Sequence, residues 1–443
     1  MLRVYQEHPE FDAYTLFDTR TGRLTTIDEK AFLHYLPSRY RHLNRPASQP
    51  IMRIDTDHAT VFTGPTYETH TRFPRRIYFQ ITRKCNLCCP YCFIKASRDA
   101  PHVPTSAIMD VATYFGQNGL MEVRLTGGEP TIHPDFFAIV QKFQEQGVYV
   151  SIATNGVLDQ QTLEKLAELD NIWLICSVDG NKEVHNKYRP NTFDRIMNNL
   201  RYLKDKNPSL RIRLTTVLTR ENRKQMYDLG KICQSVGAES ITVIPLRPQV
   251  RDDAAKELMV TAGEFKQVIE DLVEAKQKLG IRFTTTIETE YADKIYKDPV
   301  FRKRSSCAAG REGTNLDYDP RTNHFIVYGC SYSPATDLYA DERIRKPFLG
   351  GSFPIDHVED FLPIWLDDSA WTLFRDLSLK ADDCLQCYYY HSHYCVGSCP
   401  IQNLDYSKIN VNEDMLIQLK HQILKTTEWY CYKKVLNGIH ART

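Results

Sequence analysis

Thirteen cysteines in 443 residues carry the most reactive chemistry of this chain, and they are grouped. Four fall within residues 85–92, four within 384–399, Cys307 and Cys330 stand between, and Cys431 lies near the end. No stretch approaches the roughly 18 consecutive apolar residues of a membrane span, and the opening MLRVYQEHPEF lacks the apolar core of a secretory signal. A cytoplasmic location is therefore expected. Thiols stay reduced there and disulfide frameworks are rare, so grouped cysteines point to metal or redox chemistry. Cys85, Cys89 and Cys92 place three thiols in one short loop. Such a loop suits an iron–sulfur cubane in which three irons are held and the fourth stays open. The competing reading is a zinc knuckle, which would want a second pair of ligands nearby. Cys88 reads as a bystander, and Cys176 and Cys233 as buried small hydrophobes.

The elements that would position these residues follow from periodicity. From residue 76, short β-branched runs at 77–82, 122–126, 148–154, 172–178, 212–218 and 240–244 alternate with helical patterns at 104–115, 134–146, 159–169, 192–204 and 223–236. That alternation predicts βα units around a parallel sheet, and six units suit a partial barrel better than a closed eight-stranded one. Functional residues of parallel barrels sit at the C-terminal ends of strands. The Cys85–Cys92 loop follows the first strand; Gly127-Gly128-Glu129-Pro130 ends the second, Thr154-Asn155 the third and Ser177-Val-Asp179 the fourth. The glycines would let backbone approach a ligand, and Glu129 would accept from an ammonium.

Residues 1–72 read as a small β-rich unit, with hairpins at 14–26 and 51–62 and a helix at 28–35. Beyond residue 300, periodicity fades and Cys, Tyr, Gly and Asp take over, which predicts a loop-rich module stapled by metal rather than by a large core. The 56 Lys+Arg balance 55 Asp+Glu, which argues against a nucleic-acid partner recruited by bulk positive charge.

The spacing Cys85-x3-Cys89-x2-Cys92, followed by the strand-end motifs in order, resembles the radical S-adenosylmethionine superfamily over roughly residues 76–250. The resemblance implies an α/β fold, a partial (β/α)6 TIM-like barrel spanning 76–285, and a [4Fe–4S] cluster on the three cysteines that cleaves S-adenosylmethionine. It also implies that Tyr91 lies against the adenine, that Gly127, Gly128 and Glu129 bind the amino group, and that Thr154, Asn155, Ser177 and Asp179 line the ribose and carboxylate. Arg189, which follows His185, would pair with that carboxylate bidentately, with Arg195 and Arg213 as competitors. Leu246 is a candidate adenine contact.

The later cysteines resemble the SPASM extension of peptide-modifying members, over 300–443, which carries two auxiliary [4Fe–4S] clusters. Cys384, Cys387, Cys395 and Cys431 would hold one, and Cys307, Cys330 and Cys399 the other. The intervals Cys387–Cys395 and Cys307–Cys330 are longer than the common pattern, and the fourth ligand of the second cluster stays open. Where sulfatase-maturing relatives have a basic aspartate, this sequence has Ser331. Asp317, Asp319 and Glu288 are the substitute candidates for a general base.

The implied substrate is a ribosomally made precursor peptide whose leader docks on the winged-helix-like unit at 1–72 or on a separate leader-recognition protein. A flavodoxin or ferredoxin would supply electrons, and neither nucleic acid nor membrane is an expected partner. The alternatives are a sulfatase-maturase-like or tetrapyrrole-directed radical enzyme and a non-catalytic zinc module.

Overall fold

A computed structural model of the protein describes residues 2–6, 14–36, 51–64, 67–247, 253–285, 307–333, 346–376, 378–387 and 417–418. The N-terminal unit comprises β1 (Leu2–Gln6), β2 (Tyr14–Asp18), β3 (Arg23–Ile27), α1 (Glu29–Tyr35), β4 (Met52–Asp55) and β5 (Ala59–Thr63). Asp28 starts α1 by accepting the Ala31 N–H at 2.7 Å. The strands form one sheet in the order β3-β2-β1-β5-β4. Both hairpins match the sequence reading, but the central β1 was not foreseen. Its partners are antiparallel β2 and, some 57 residues on at the register Leu2–Ala59, parallel β5. Tyr5, Phe17 and Phe62 pack on Met121 and Tyr149 at the start of the barrel strands. Arg3 fastens the same junction by donating to the Leu120 and Gly116 carbonyls.

The barrel follows as β6 (Arg76–Thr82), α2 (Thr105–Gln117), β7 (Glu122–Gly127), α3 (Phe136–Glu145), β8 (Tyr149–Thr154), α4 (Gln160–Ala167), β9 (Ile172–Ser177), α5 (Lys182–Tyr188), α6 (Phe193–Lys206), β10 (Arg211–Leu218), α7 (Met226–Ser235), β11 (Ser240–Pro245), α8 (Ala262–Leu279) and β12 (Arg282–Thr284). All six expected strands are present and parallel, and β12 adds a seventh alongside β11. Ile77, Phe79, Val123, Leu125, Val150, Ile152 and Leu174 face the helices in one continuous core. The intervening residues face the barrel lumen, and they are mostly polar. No described helix is long and apolar enough to cross a membrane.

At the lower end of the lumen, Glu122 accepts from Arg76 Nε at 2.7 Å and from Ser151 Oγ at 2.7 Å. Burial disfavours the Glu122 carboxylate, but Arg76 and Arg124 outweigh that and hold its pKa below the usual glutamate value. Its stabilisation is therefore complete above the usual glutamate range and is lost as the pH falls through the depressed value. Glu122→Gln should flatten the acid limb of a stability-against-pH curve measured by chemical denaturation. At neutral pH it should cost about 2 kcal/mol, less than a fully buried pair because Arg76 is partly open to solvent.

Beyond the barrel, β13 (Gly313–Asp319) pairs parallel with β6, and β14 (His324–Tyr328) and β15 (Leu349–Pro354) continue the sheet antiparallel. The ten-stranded order is β12-β11-β10-β9-β8-β7-β6-β13-β14-β15. The expectation of a module without a large core needs correction for the described part. Phe325, Phe353, Phe361, Trp365 and Trp371 are buried and join the barrel core. Aromatic residues scattered among loops carry no period, so the contact is invisible until β13 aligns them.

Candidate active site

The loop after β6 is tied down by backbone pairing. Cys85 N–H donates to the Ser97 carbonyl at 2.8 Å and Ser97 N–H to the Arg83 carbonyl at 3.1 Å, while Cys92 N–H donates to the Cys89 carbonyl at 3.2 Å. Gly127, at a φ of +129°, and Gly128 bring the end of β7 against this loop. A Cβ at either would lie 1.9 Å from the Thr82 oxygen or 2.1 Å from the Lys84 oxygen. What these glycines admit is thus the cluster loop's own backbone, and Gly128 and Glu129 N–H donate to those same carbonyls at 2.8 and 2.9 Å.

Cys85 is buried, and Cys89 and Cys92 lie close enough to interact with it electrostatically. Burial, with Glu129 and the two neighbouring cysteines adding, pushes the Cys85 thiol up to about 11. Such a thiol is a poor thiolate alone, and coordination to a cationic iron centre reverses the preference. The Leu87 N–H at 3.4 Å and Asn155 Nδ2 at 3.8 Å point at its sulfur. Among the described residues no three His, Cys, Asp or Glu converge to hold a single metal ion.

Glu129 is fully buried, and its carboxylate accepts from Thr131 N at 3.2 Å, Thr131 Oγ1 at 2.6 Å, Thr154 Oγ1 at 2.9 Å and Asn155 N at 2.7 Å. It knits the ends of β7 and β8 together rather than facing open space, and Thr154 and Asn155 belong to the same network.

At the end of β9, Asp179 accepts from Arg189 Nε at 2.7 Å, Tyr91 OH at 2.5 Å and Val217 N at 2.8 Å. Burial opposes its charge, but Arg189 foremost holds its pKa below the usual aspartate value. His185 accepts the Asp179 N–H on Nδ1 at 3.1 Å and meets Thr192 Oγ1 at 2.9 Å through Nε2. Burial lowers its pKa to about 4, so it is a neutral, fixed support. Ser177 lies two residues before Asp179 at the same strand end. Arg189 stacks 5.9 Å from the Tyr91 ring centre. With Nε engaged by Asp179, its Nη groups are the donors left to meet a ligand. Of the competitors, Arg195 is bound to the Leu158 carbonyl, and Arg213 lies in the lumen over Trp173. Leu246 packs with Tyr91, Tyr188 and Met259 in an apolar wall beside the loop.

The base candidates Asp317 and Asp319 sit on β13. Asp317 is buried and paired with Arg83, whose Nε lies 3.0 Å away; Asp319 pairs with Arg321 at 2.8 Å. Glu288, Cys395, Cys399 and Cys431 lie outside the described residues. Cys330 is close enough to Cys307 for the two to interact, and burial foremost raises its pKa. Its sulfur accepts from Tyr332 N at 3.4 Å and Ser333 Oγ at 3.6 Å. Cys384 and Cys387 occupy one turn, the Cys387 N–H donating to the Cys384 carbonyl at 3.0 Å. Tyr332 and Arg247 were missed by sequence reading; Arg247 lies 3.8 Å over the Tyr332 ring, and Tyr332 meets Phe93 at 5.5 Å between the two cysteine regions.

A parallel partial barrel with a three-cysteine loop at its first strand end defines a class, and comparison agrees. The model of the radical SAM superfamily matches residues 79–231. It is 27% identical over 334 residues to the mycofactocin maturase MftC of Mycobacterium tuberculosis, covering 74% of this chain and 78% of that protein. It is 24% identical to an AdoMet-dependent heme synthase of Oleidesulfovibrio alaskensis, covering 77% and 86%. The structure of Streptococcus suis SuiB bound to S-adenosylmethionine shares the fold with a TM-score of 0.61 at 17% identity, covering 90% of this chain and 94% of SuiB. SuiB has also been solved with its precursor peptide SuiA.

Proposed function

We propose that this protein is a radical S-adenosylmethionine enzyme that modifies a ribosomally made precursor peptide. The observation that carries the reading is the three-cysteine loop set over a polar lumen, with Tyr91, Asp179 and Arg189 beside it. Similarity to a maturase and to a fold solved with a precursor peptide supports it. When bound, the cluster and S-adenosylmethionine supply a reductively made 5′-deoxyadenosyl radical that abstracts a substrate hydrogen. The protein's part is positional. Cys85, Cys89 and Cys92 would hold three irons, Arg189 Nη groups would receive the methionine carboxylate, and the apolar wall containing Tyr91 and Leu246 would lie against the adenine. Cys307, Cys330, Cys384 and Cys387, with Cys395, Cys399 and Cys431, are assigned to two auxiliary clusters, and the electrons to an external flavodoxin or ferredoxin.

The leader's place is assigned to the β3 edge. β3 pairs on one side with β2 and its side chains are largely exposed, Leu24 at 53%. A peptide strand could extend the sheet there. The adjoining turn touches the lower barrel rim, where Arg211 Nη1 donates to the Thr21 carbonyl at 3.1 Å.

Anaerobic incubation of reduced enzyme with S-adenosylmethionine and a precursor peptide, read by mass spectrometry, tests the reading. Loss of two hydrogens would mark a crosslink and a large loss an excision. The heme synthase relative favours one second reading, a tetrapyrrole substrate; turnover of a tetrapyrrole carboxylate with no change in any peptide would replace the first.

A further inference from the structure

The barrel lumen holds more cation than carboxylate. By strand register, Asn315, Tyr78, Arg124, Ser151 and Trp173 form one inward-facing row, and Gln80 and Arg213 belong to the next row toward the cluster loop. Among the described residues, Arg76, Arg124 and Arg213 share one carboxylate, Glu122, which pairs with Arg76 and reaches Arg124 at 3.5 Å. Arg213 instead lies 3.8 Å from the centre of the Trp173 ring and donates to Ser240 Oγ at 3.1 Å. Arg124 stacks over Tyr78 at 5.0 Å. Aromatic faces offset part of the repulsion among these cations, but only an anion would balance the charge.

Among the described residues, the same rows contain buried polar atoms with no partner. They are Arg124 Nε, Trp173 Nε1, both amide atoms of Asn315 and Oε1 of Gln80. Asn315 is 1% exposed and Gln80 3%. Unsatisfied buried groups of this kind cost free energy unless something binds them. Three are donors suited to a carboxylate, and two are acceptors suited to an adjacent peptide N–H. The alternative occupant, a bare inorganic anion, would leave the two acceptors unmet.

We infer that Arg124 and Arg213, with Trp173, Asn315 and Gln80, form a carboxylate-binding site in the barrel lumen that anchors the substrate peptide by a carboxylate next to a backbone N–H. This rests on the peptide reading above for its substrate class. The carboxylate comes either from the peptide's own C-terminus or from an Asp or Glu side chain. Asp317 falls opposite Gln80 by the same register, but its charge is taken up by Arg83. Arg247 and Tyr332 pack against Phe93 just after the cysteine loop, so an anchored peptide would extend toward the radical source.

The test is calorimetric titration of the full-length reconstituted protein with three probes: N-acetyl-Gly-Gly-Tyr, the same peptide as its C-terminal amide, and N-acetyl-Glu-Gly-Gly amide. At least one carboxylate probe should bind about tenfold tighter than the neutral amide, the scale of a charge-assisted hydrogen-bonded pair. Which one does so identifies the source. Arg213→Gln should remove that preference. So should Asn315→Asp, which keeps the side chain's shape and adds a competing charge. Melting curves of both variants confirm that they fold. Equal binding of all three probes, no binding of either acid, or a preference kept in both folded variants overturns the site. Because no turnover is read, failure of the peptide reading in the mass-spectrometric assay is a separate result.

Discussion

Replacing Cys85 with alanine should remove about four irons per protein molecule, the content of one cubane, and abolish S-adenosylmethionine cleavage while leaving the fold intact. The fold should survive because the loop is held by its backbone, through the Cys85–Ser97 and Ser97–Arg83 hydrogen bonds and the close approach of Gly127 and Gly128. Alanine keeps the backbone N–H and loses the sulfur that Leu87 and Asn155 address. Cys89→Ala and Cys92→Ala should behave alike, whereas Cys88→Ala, at an exposed position, should keep its iron. Iron and sulfide analysis of anaerobically reconstituted protein, with 5′-deoxyadenosine measured alongside, checks all four. Wild-type protein should carry about 12 irons if the auxiliary clusters are present, since each cubane holds four. Zinc without sulfide would sink the cluster assignment.

The second large effect is expected at Asp179. Asp179→Ala leaves the Arg189 guanidinium buried without its carboxylate, and also strips the acceptor from Tyr91 OH and Val217 N–H. Breaking a buried pair in this one-sided way costs about 3–5 kcal/mol. Denaturant unfolding should register that loss. The double variant Asp179→Ala/Arg189→Met, which removes both charges, should recover a good part of it. The KM for S-adenosylmethionine should rise in the single variant because nothing then fixes the direction of the Arg189 Nη groups. A single variant as stable as wild type would show that Arg189 is not held by this carboxylate.

These two sites differ in how far they could be read beforehand. The cysteine loop is local: three ligands within eight residues, following a strand whose β-branched run stands out. Asp179 and Arg189 were both singled out, but as separate ligand contacts. That they neutralise one another, with Tyr91 as a third member from 88 residues away, depends on how β6 and β9 are placed. Glu129 makes the same point. Its motif was legible, yet its carboxylate is engaged by Thr154 and Asn155 at the end of β8, 25 and 26 positions on. Asp317 and Asp319 are candidate general bases by sequence, and the structure pairs them with Arg83 and Arg321.

The sequence by itself determined the parallel βα domain, its six strands and helices, and the loop able to hold a cluster. Each depends on residues near one another along the polypeptide, where periodicity, caps and spacing act. Tertiary structure alone decided that β1 centres the N-terminal sheet, that β13 joins β6, and that arginines from β6, β7 and β10 face one another across a polar lumen. Those outcomes rest on pairing between strands far apart in sequence. Such pairing is selected by burial of the whole outer face at once, and no local pattern records it.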